Sequence, residues 1–181
     1  MPLNIEEEGI DILCCAGFKW LLGMPGTGFL YVKQDVQHQI NPSMPGMFAA
    51  ENIFTDLHYY EDARRFETGS IAYSLFHAWT AGLDVLLEVG VERIYDRVMH
   101  LTGLLIQGIR AKGYTLLSPV ETLGERSSIL IFSVGDANDN KALYASLRQK
   151  GIIVTYRAGA IRVSPSFFNT EEEIAAFLSA I

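Results

Sequence analysis

Lys19 is the residue of this sequence whose surroundings most suggest covalent chemistry. It follows an apolar run at 11–16 and Gly17, and it lies between Phe18 and Trp20. A lysine amine that is partly desolvated at a strand end can act as a nucleophile, which Schiff-base chemistry requires. The alternative is structural, with the alkyl stem covering apolar surface while the ammonium stays in water. Spacing alone favours the structural interpretation, because most lysines have no special role.

Three glycines follow the lysine, at positions 23, 26 and 28. They do not form a P-loop, because that motif ends in Gly-Lys-Ser/Thr and here Gly28 is followed by Phe29. They do not form a dinucleotide fingerprint either, because the next residues (GFLYVK) predict a strand rather than a helix. A glycine-rich hairpin is the simplest interpretation, and it also allows close approach of the backbone to a ligand.

The elements that must position these residues follow from hydrophobic periodicity, which predicts an α/β fold. Strands are predicted at 11–16, 28–33, 114–117, 127–134, 152–156 and 160–164. Helices are predicted from Ser70 to Gly90, at 91–112 and 138–150, and from a cap at Asn169 or Thr170 to the C-terminus. Residues 41–65 predict an irregular connection, since they contain prolines and aromatics without a clear period.

Three segments, in this order, resemble one protein family. Residues 11–32 (DILCCAGFKWLLGMPGTGFLYV) are similar to the cofactor-lysine segment of the class V aminotransferases. These are fold-type I pyridoxal-phosphate enzymes that include the cysteine desulfurases and the isopenicillin-N epimerase-like proteins. Residues 65–70 (RFETGS) resemble the motif R-F-E-x-G-[TS], and residues 162–170 (RVSPSFFNT) resemble R-x-S-x-x-x-[YF]-N-T.

The resemblance implies a role for four residues. Lys19 would form the Schiff base with pyridoxal 5'-phosphate and then move the α-proton of the substrate. Ser70, with Gly69, would contact the cofactor phosphate of the partner subunit, which implies a homodimer. Arg162 would bind the α-carboxylate of an amino-acid substrate, for which a guanidinium fork is well suited.

Each of these residues also has a structural interpretation from sequence alone. Ser70 can cap the helix that follows it, and a capping hydroxyl can also face a phosphate. Arg162 can be a cation on a surface strand. Arg65 can form an ion pair with Asp62 or Glu67.

The resemblance covers only the C-terminal portion of such enzymes. We therefore expect residues 1–69 to be a tail fragment of the large cofactor domain and 70–181 to be the small domain, with helices on one face of a mixed or antiparallel sheet. In the family, the upstream half supplies an aspartate for the pyridine nitrogen, a stacking aromatic and a phosphate-binding turn. We accordingly expect this chain alone to bind the cofactor weakly or not at all.

The sequence departs from the cysteine-desulfurase pattern at the position of the nucleophilic cysteine. Cysteine desulfurases carry a nucleophilic cysteine shortly before the carboxylate-binding arginine, whereas residues 155–160 here read TYRAGA. Cys14 and Cys15 lie on a strand that we expect to be buried. Persulfide chemistry by the usual route is therefore not expected, and the chain looks more similar to the epimerase-like or aminotransferase-like branch.

Composition excludes several classes of function. The 181 residues are 49% hydrophobic, so they can bury a core, and the formal net charge is −7. An acidic chain argues against a nucleic-acid surface, and no apolar run is long enough to span a membrane. Adjacent Cys14 and Cys15 predict free thiols in a reducing, cytoplasmic setting, and we expect no metal site.

Two functions remain open at this point. The first is part of a pyridoxal-phosphate enzyme that transaminates, epimerises or cleaves an amino acid at the α-carbon. The second is a non-catalytic remnant or fragment that acts as a folded dimerisation or partner-binding module.

Overall fold

A computed structural model describes residues 2–52 and 54–181. The chain forms two compact units, Leu3–Val89 and a second unit that includes Gly90–Ile181. The boundary between them falls after the helix Tyr73–Val89, whereas the sequence places the domain boundary before it, at 69/70. The helix groups with the N-terminal residues because its buried Trp79 packs on the loop after the first strand.

The N-terminal unit contains two short antiparallel sheets. β1 (Ile12–Ala16) pairs with β2 (Gly28–Val32), and β3 (Ala50–Asn52) pairs with β4 (Asp56–Tyr59). Helix α1 (Gln34–Gln37) follows β2, and helix α2 (Tyr73–Val89) closes the unit. The first two strands were predicted, whereas β3, β4 and α1 were not. Because β3 and β4 lie within 41–65, the described part of that segment is less irregular than expected.

The β1–β2 sheet exposes apolar side chains, which corrects one expectation. Cys14 is exposed and Cys15 is half-buried, so neither lies in a core. Their neighbours Ile12 and Leu30 are 51% and 43% exposed. Two strands alone cannot cover both faces of a sheet, and the expectation of a buried strand is wrong for that reason.

The C-terminal unit has the predicted architecture of helices and an antiparallel sheet. Its elements, in chain order, are α3 (Val91–Ala111), β5 (Thr115–Leu116), β6 (Leu130–Ser133), α4 (Ala137–Gln149), β7 (Thr155–Arg157), β8 (Ala160–Val163) and α5 (Glu171–Ala180). The strand order is β5-β6-β8-β7, and every pair is antiparallel. No helix in the part of the chain that the structure describes is long and apolar enough to cross a membrane.

Strand alternation gives this sheet two different faces. The side chains of Leu130 and Phe132 on β6, and of Ile161 and Val163 on β8, join one core cluster with residues of α3, α4 and α5. The helices therefore cover that face. The alternate residues, such as Ile131 and Arg162, which are register partners, belong to the opposite face.

Local signals fix the start of α5 and the ends of α3 and α4 as predicted. Thr170 caps α5 through its hydroxyl, which accepts a hydrogen bond from the backbone N–H of Glu173, and the Glu173 side chain accepts one from the backbone N–H of Thr170. This reciprocal pair is a capping box. Gly113 (φ +74°) and Gly151 (φ +75°) follow α3 and α4 in the left-handed conformation that commonly ends a helix.

An ion pair joins α3 to the start of α5. Arg97 donates hydrogen bonds to both carboxylate oxygens of Glu171, one of them 2.8 Å long, and to the carbonyl of Asn169 at 2.8 Å. The hydrogen bond from Arg97 lowers the pKa of Glu171 to about 2. A carboxyl group whose pKa is lowered by folding stabilises the fold above its unfolded pKa and loses that effect as the pH falls through the folded value.

The substitution Glu171→Gln tests this pair. We expect the variant to unfold at a lower temperature than wild type near pH 7, because the ionic partner of Arg97 is lost. The difference should shrink between about pH 4.5 and about pH 2, where wild-type Glu171 becomes protonated as well. Thermal unfolding followed by circular dichroism across this pH range measures the difference in unfolding temperature between the variant and wild type. A difference that stays constant down to pH 2 would contradict the assignment.

Candidate active site

The loop that carries Lys19 is closed by its own backbone. The N–H of Gly17 donates to the carbonyl of Thr27 at 2.9 Å, and the N–H of Gly23 donates to the carbonyl of Gly17 at 2.8 Å. The N–H of Leu22 donates to the carbonyl of Lys19 at 3.1 Å. Leu22 itself has φ +55°, which is uncommon for a residue with a side chain and marks a strained turn. The lysine thus lies on a short loop with a defined backbone conformation.

Trp79 on α2 packs against this loop. Its indole Nε1–H donates to the carbonyl of Leu21 at 2.8 Å, and the side chain is 6% exposed. A Cβ atom on Gly17 would lie 2.7 Å from Cζ2 of Trp79, and one on Gly23 would lie 2.9 Å from Cδ1. Glycine is therefore needed at both positions, because the indole and the Thr27 hydroxyl together occupy the space that a side chain would take.

The side chain of Lys19 points to solvent. The residue is exposed, and its Nζ lies 5.5 Å from the centroid of the Phe18 ring. Phe18 and Trp20 are 48% and 38% exposed, so they do not desolvate the amine as the sequence suggested. Within residues 2–52 and 54–181 no carboxylate forms a salt bridge with Lys19, and the amine is available to a ligand.

Ser70 lies on the connection between a 3-10 helix at Ala63–Phe66 and α2. Helix α2 begins at Tyr73, so Ser70 is not its N-cap, and that structural interpretation is wrong. The hydroxyl of Ser70 is exposed, and among the described residues it has no hydrogen-bond partner. A Cβ atom on Gly69 would meet no heavy atom within 4 Å, so nothing in the described chain requires glycine there.

Arg65 has neither of the partners suggested by the sequence. Asp62 instead pairs with Arg64 at 2.8 Å, and this hydrogen bond lowers the pKa of Asp62. Arg65 is 7% exposed and lies 5.5 Å from the centroid of the Tyr59 ring. Its Nε is buried and has no hydrogen-bond partner among the described residues.

Arg162 lies on β8, on the face of the sheet opposite the helices. Its Nη2 donates to the hydroxyl of Thr155, its register partner on β7, at 3.3 Å. Its Nε is buried and is bonded to no group in the described part of the chain. A half-buried guanidinium with an unused donor is suited to bind an anion, since unsatisfied buried donors are costly.

The predicted site residues are divided between the two units. Lys19, Gly69 and Ser70 belong to the N-terminal unit, and Arg162 belongs to the C-terminal unit. Sequence reasoning missed Trp79, which positions the lysine loop. A tryptophan in an amphipathic helix gives only a signal for burial, and its hydrogen bond to Leu21 spans 58 positions of the chain.

These observations define a class V aminotransferase fold. The Aminotransferase class-V family matches residues 1–177, and the chain belongs to that family. The apo structure of a cysteine desulfurase from Thermococcus onnurineus NA1 superposes with a TM-score of 0.90 at 21% identity, over 99% of this chain and 48% of that one. At this identity the similarity establishes the fold alone. The prediction of a fold-type I architecture is confirmed.

Two curated relatives place the chain within the family. The aminotransferase YcbU of Bacillus subtilis (strain 168), itself uncharacterized, is 32% identical over 174 residues, which cover 96% of this chain and 45% of YcbU. A probable cysteine desulfurase of Methanothermobacter thermautotrophicus is 28% identical, over 96% of this chain and 47% of that protein. The chain therefore spans about half the length of the curated relatives it matches.

The substitution Gly17→Ala tests the packing of the lysine loop. The added methyl group overlaps the Trp79 ring and Thr27 Oγ1, which a Cβ atom would approach to 2.6 Å. We expect the free energy of unfolding to fall by about 1–3 kcal/mol, as is typical of overpacking. Urea denaturation measures this free energy. Gly69→Ala is the matched control, and it should leave the free energy of unfolding almost unchanged. Equal stability of the two variants would contradict the packing.

Proposed function

We propose that this chain carries the lysine-bearing half of a pyridoxal-phosphate enzyme that acts at the α-carbon of an amino acid. The observation that supports this most is the Lys19 loop. The backbone hydrogen bonds and the Trp79 indole hold it, while the amine stays exposed and without a carboxylate partner in the described chain. A purely structural lysine would form an ion pair or cover buried apolar surface. In the described chain Lys19 forms no ion pair, and the ring that its Nζ faces, Phe18, is itself exposed.

The donor groups of the described residues fit the cofactor. The free amine of Lys19 is the group that bonds covalently to an aldehyde. The hydroxyl of Ser70 is exposed and has no partner in the described part of the chain, and it lies beside Gly69, where a side chain would have room but glycine is present. A cofactor phosphate would account for both residues, because a free hydroxyl can donate a hydrogen bond to it. In a homodimer this would be the phosphate bound by the partner subunit. When bound, the cofactor supplies an electron sink for the α-carbon.

Side chains of the protein would bind the substrate and transfer its α-proton. The guanidinium of Arg162 binds and orients the α-carboxylate through its unused Nε–H and an Nη donor, in the fork geometry that carboxylates prefer. Nζ of Lys19, on a flexible stem, can take and return the α-proton as a general base and acid. Transamination, epimerisation and lyase chemistry all use these two roles.

The hairpin before Arg162 argues against cysteine chemistry. Ala158 and Gly159 alone join β7 to β8, and both have positive φ values, so the connection is a tight turn without room for a reactive loop. Cys14 and Cys15 lie instead on β1. We therefore propose an aminotransferase-like or epimerase-like reaction. The free thiols of Cys14 and Cys15 support our further proposal of a reducing, cytoplasmic setting.

Selective labelling of Lys19 tests the proposal. Purified protein is incubated with pyridoxal phosphate, reduced with borohydride and mapped by mass spectrometry. This chain alone is expected to hold the cofactor weakly, but borohydride makes each lysine adduct permanent. We therefore expect Lys19 to be modified well above the remaining lysines, with a weak visible absorption band before reduction. Lys19→Ala should abolish both signals. Lys33→Ala is the matched control, because Lys33 is also exposed in the N-terminal unit, and it should change neither signal.

Scattered labelling of surface lysines would contradict the enzyme proposal and favour the second candidate, a folded dimerisation or partner-binding module. The observation that favours this candidate is the exposed apolar surface of β1 and β2, including Ile12 and Leu30. Such surface promotes self-association in water. A strictly monomeric species in light scattering would contradict the module.

A further inference from the structure

We propose that Arg157 forms a second anion-binding position beside Arg162, so that the site takes an amino acid with an acidic side chain. This inference rests on the proposed role of Arg162 in binding the α-carboxylate. It adds the class of substrate, which neither the family nor the relatives assign to this chain.

The register of the β7–β8 hairpin brings the two arginines to one face. Thr155 pairs with Arg162 and Arg157 pairs with Ala160, so Arg157 and Arg162 are diagonal neighbours across the two strands. Residues in direct register, and every second residue along a strand, share a face. Diagonal neighbours have Cα atoms roughly 7–8 Å apart, which is within reach of two arginine side chains. Thr155, Arg157 and Arg162 therefore share one face of the sheet.

The turn of this hairpin fixes the position of Arg157. Ala158 (φ +50°) and Gly159 (φ +82°) form a two-residue connection with both residues in the left-handed region. This geometry matches the twist of the flanking strands and sets their register. A non-glycine residue is strained there, and such strain is often retained at functional sites. Arg157 is the last residue of β7, directly before the turn.

Neither guanidinium is neutralised by the described part of the chain. Arg157 is exposed, with no salt bridge or hydrogen bond to a described residue. Among the described residues, Arg162 has a hydrogen bond to the hydroxyl of Thr155, and its buried Nε has no partner there. Elsewhere in the same unit, Arg97 pairs with Glu171 and Arg110 pairs with Glu121, whereas Arg126 and Arg148 have hydrogen bonds but no carboxylate partner among the described residues. What distinguishes Arg157 and Arg162 is that two arginines without a carboxylate partner in the described chain share one face of the sheet.

The chemistry of the ligand follows from this pair. One guanidinium binds one carboxylate, in a fork geometry that adds direction to charge. With Arg162 on the α-carboxylate, Arg157 is left for a second acidic group on the same molecule. An amino acid with an apolar side chain would leave Arg157 unused. We therefore infer a preference for dicarboxylic amino acids.

Ligand-observed NMR titration of the full 181-residue chain tests this without cofactor. The probes are L-glutamate and L-norvaline, which have the same carbon chain length but differ in the second carboxylate. We expect glutamate to bind at least about fivefold more tightly, as a charge-assisted pair allows. Arg157→Gln should remove this preference and leave norvaline binding unchanged. Arg162→Gln should weaken both ligands.

Two further variants make the result specific. Arg157→Glu should reduce glutamate binding below that of norvaline, because the second carboxylate is then repelled. Arg148→Gln removes an equal charge from α4, where Arg148 contacts Tyr144, and should keep the full preference. Absence of a preference in wild type, or a preference that survives in Arg157→Gln, would overturn the proposal. The enzyme proposal fails separately if the cofactor does not select Lys19, since these titrations contain no cofactor.

Discussion

The contact between the Trp79 indole and the lysine loop is the constraint on which the N-terminal unit depends. One hydrogen bond satisfies the carbonyl of Leu21, and the ring fills the space left by Gly17 and Gly23. Gly82, one turn further along α2, lets the helix approach the carbonyl of Leu22, which a Cβ atom would meet at 2.6 Å. Helix and loop are therefore matched at several points, and the loop conformation is determined by packing as well as by its own hydrogen bonds.

Strand alternation in the C-terminal unit separates the core face of the sheet from the face that carries the proposed anion-binding side chains. One face of its sheet contributes Phe132 and Ile161 to the core under the helices, and both are fully buried. The opposite face carries Thr155, Arg157 and Arg162. Because side chains alternate along each strand, the core can be packed without restricting which polar residues the other face presents. A rigid sheet is a suitable support for a recognition site, since it holds charged side chains at fixed spacing.

Features with strong local signals could be predicted from the sequence. The helices before Gly113 and Gly151 end where expected, and the Thr170 capping box starts α5, because short-range hydrogen bonds and backbone preference decide these points. The strands before and after the Lys19 loop were also correct. Their apolar runs are bounded by glycine, which is a clear signal for turns.

Features that depend on long-range neighbours could not be predicted. Cys14 looks like a core residue in an apolar run, yet among the described residues its strand pairs with β2 alone, and Cys14 is exposed. From the sequence, Asp62 could pair with Arg64 or with Arg65. In the structure Asp62 caps the 3-10 helix and pairs with Arg64. No sequence pattern marks Arg157. Its proposed role follows from its diagonal position relative to Arg162, and that position depends on a strand register that the sequence does not specify.

Site-resolved hydrogen exchange measures most directly whether the Lys19 loop is held in place before any ligand binds. The backbone amides of Gly17 and Gly23 and the indole N–H of Trp79 all donate hydrogen bonds within or onto the loop. We expect these three protons to exchange slowly and at similar rates, well below those of unstructured peptides, since one cooperative opening would expose them. Exchange at free-peptide rates, while the amides of α2 remain protected, would contradict it.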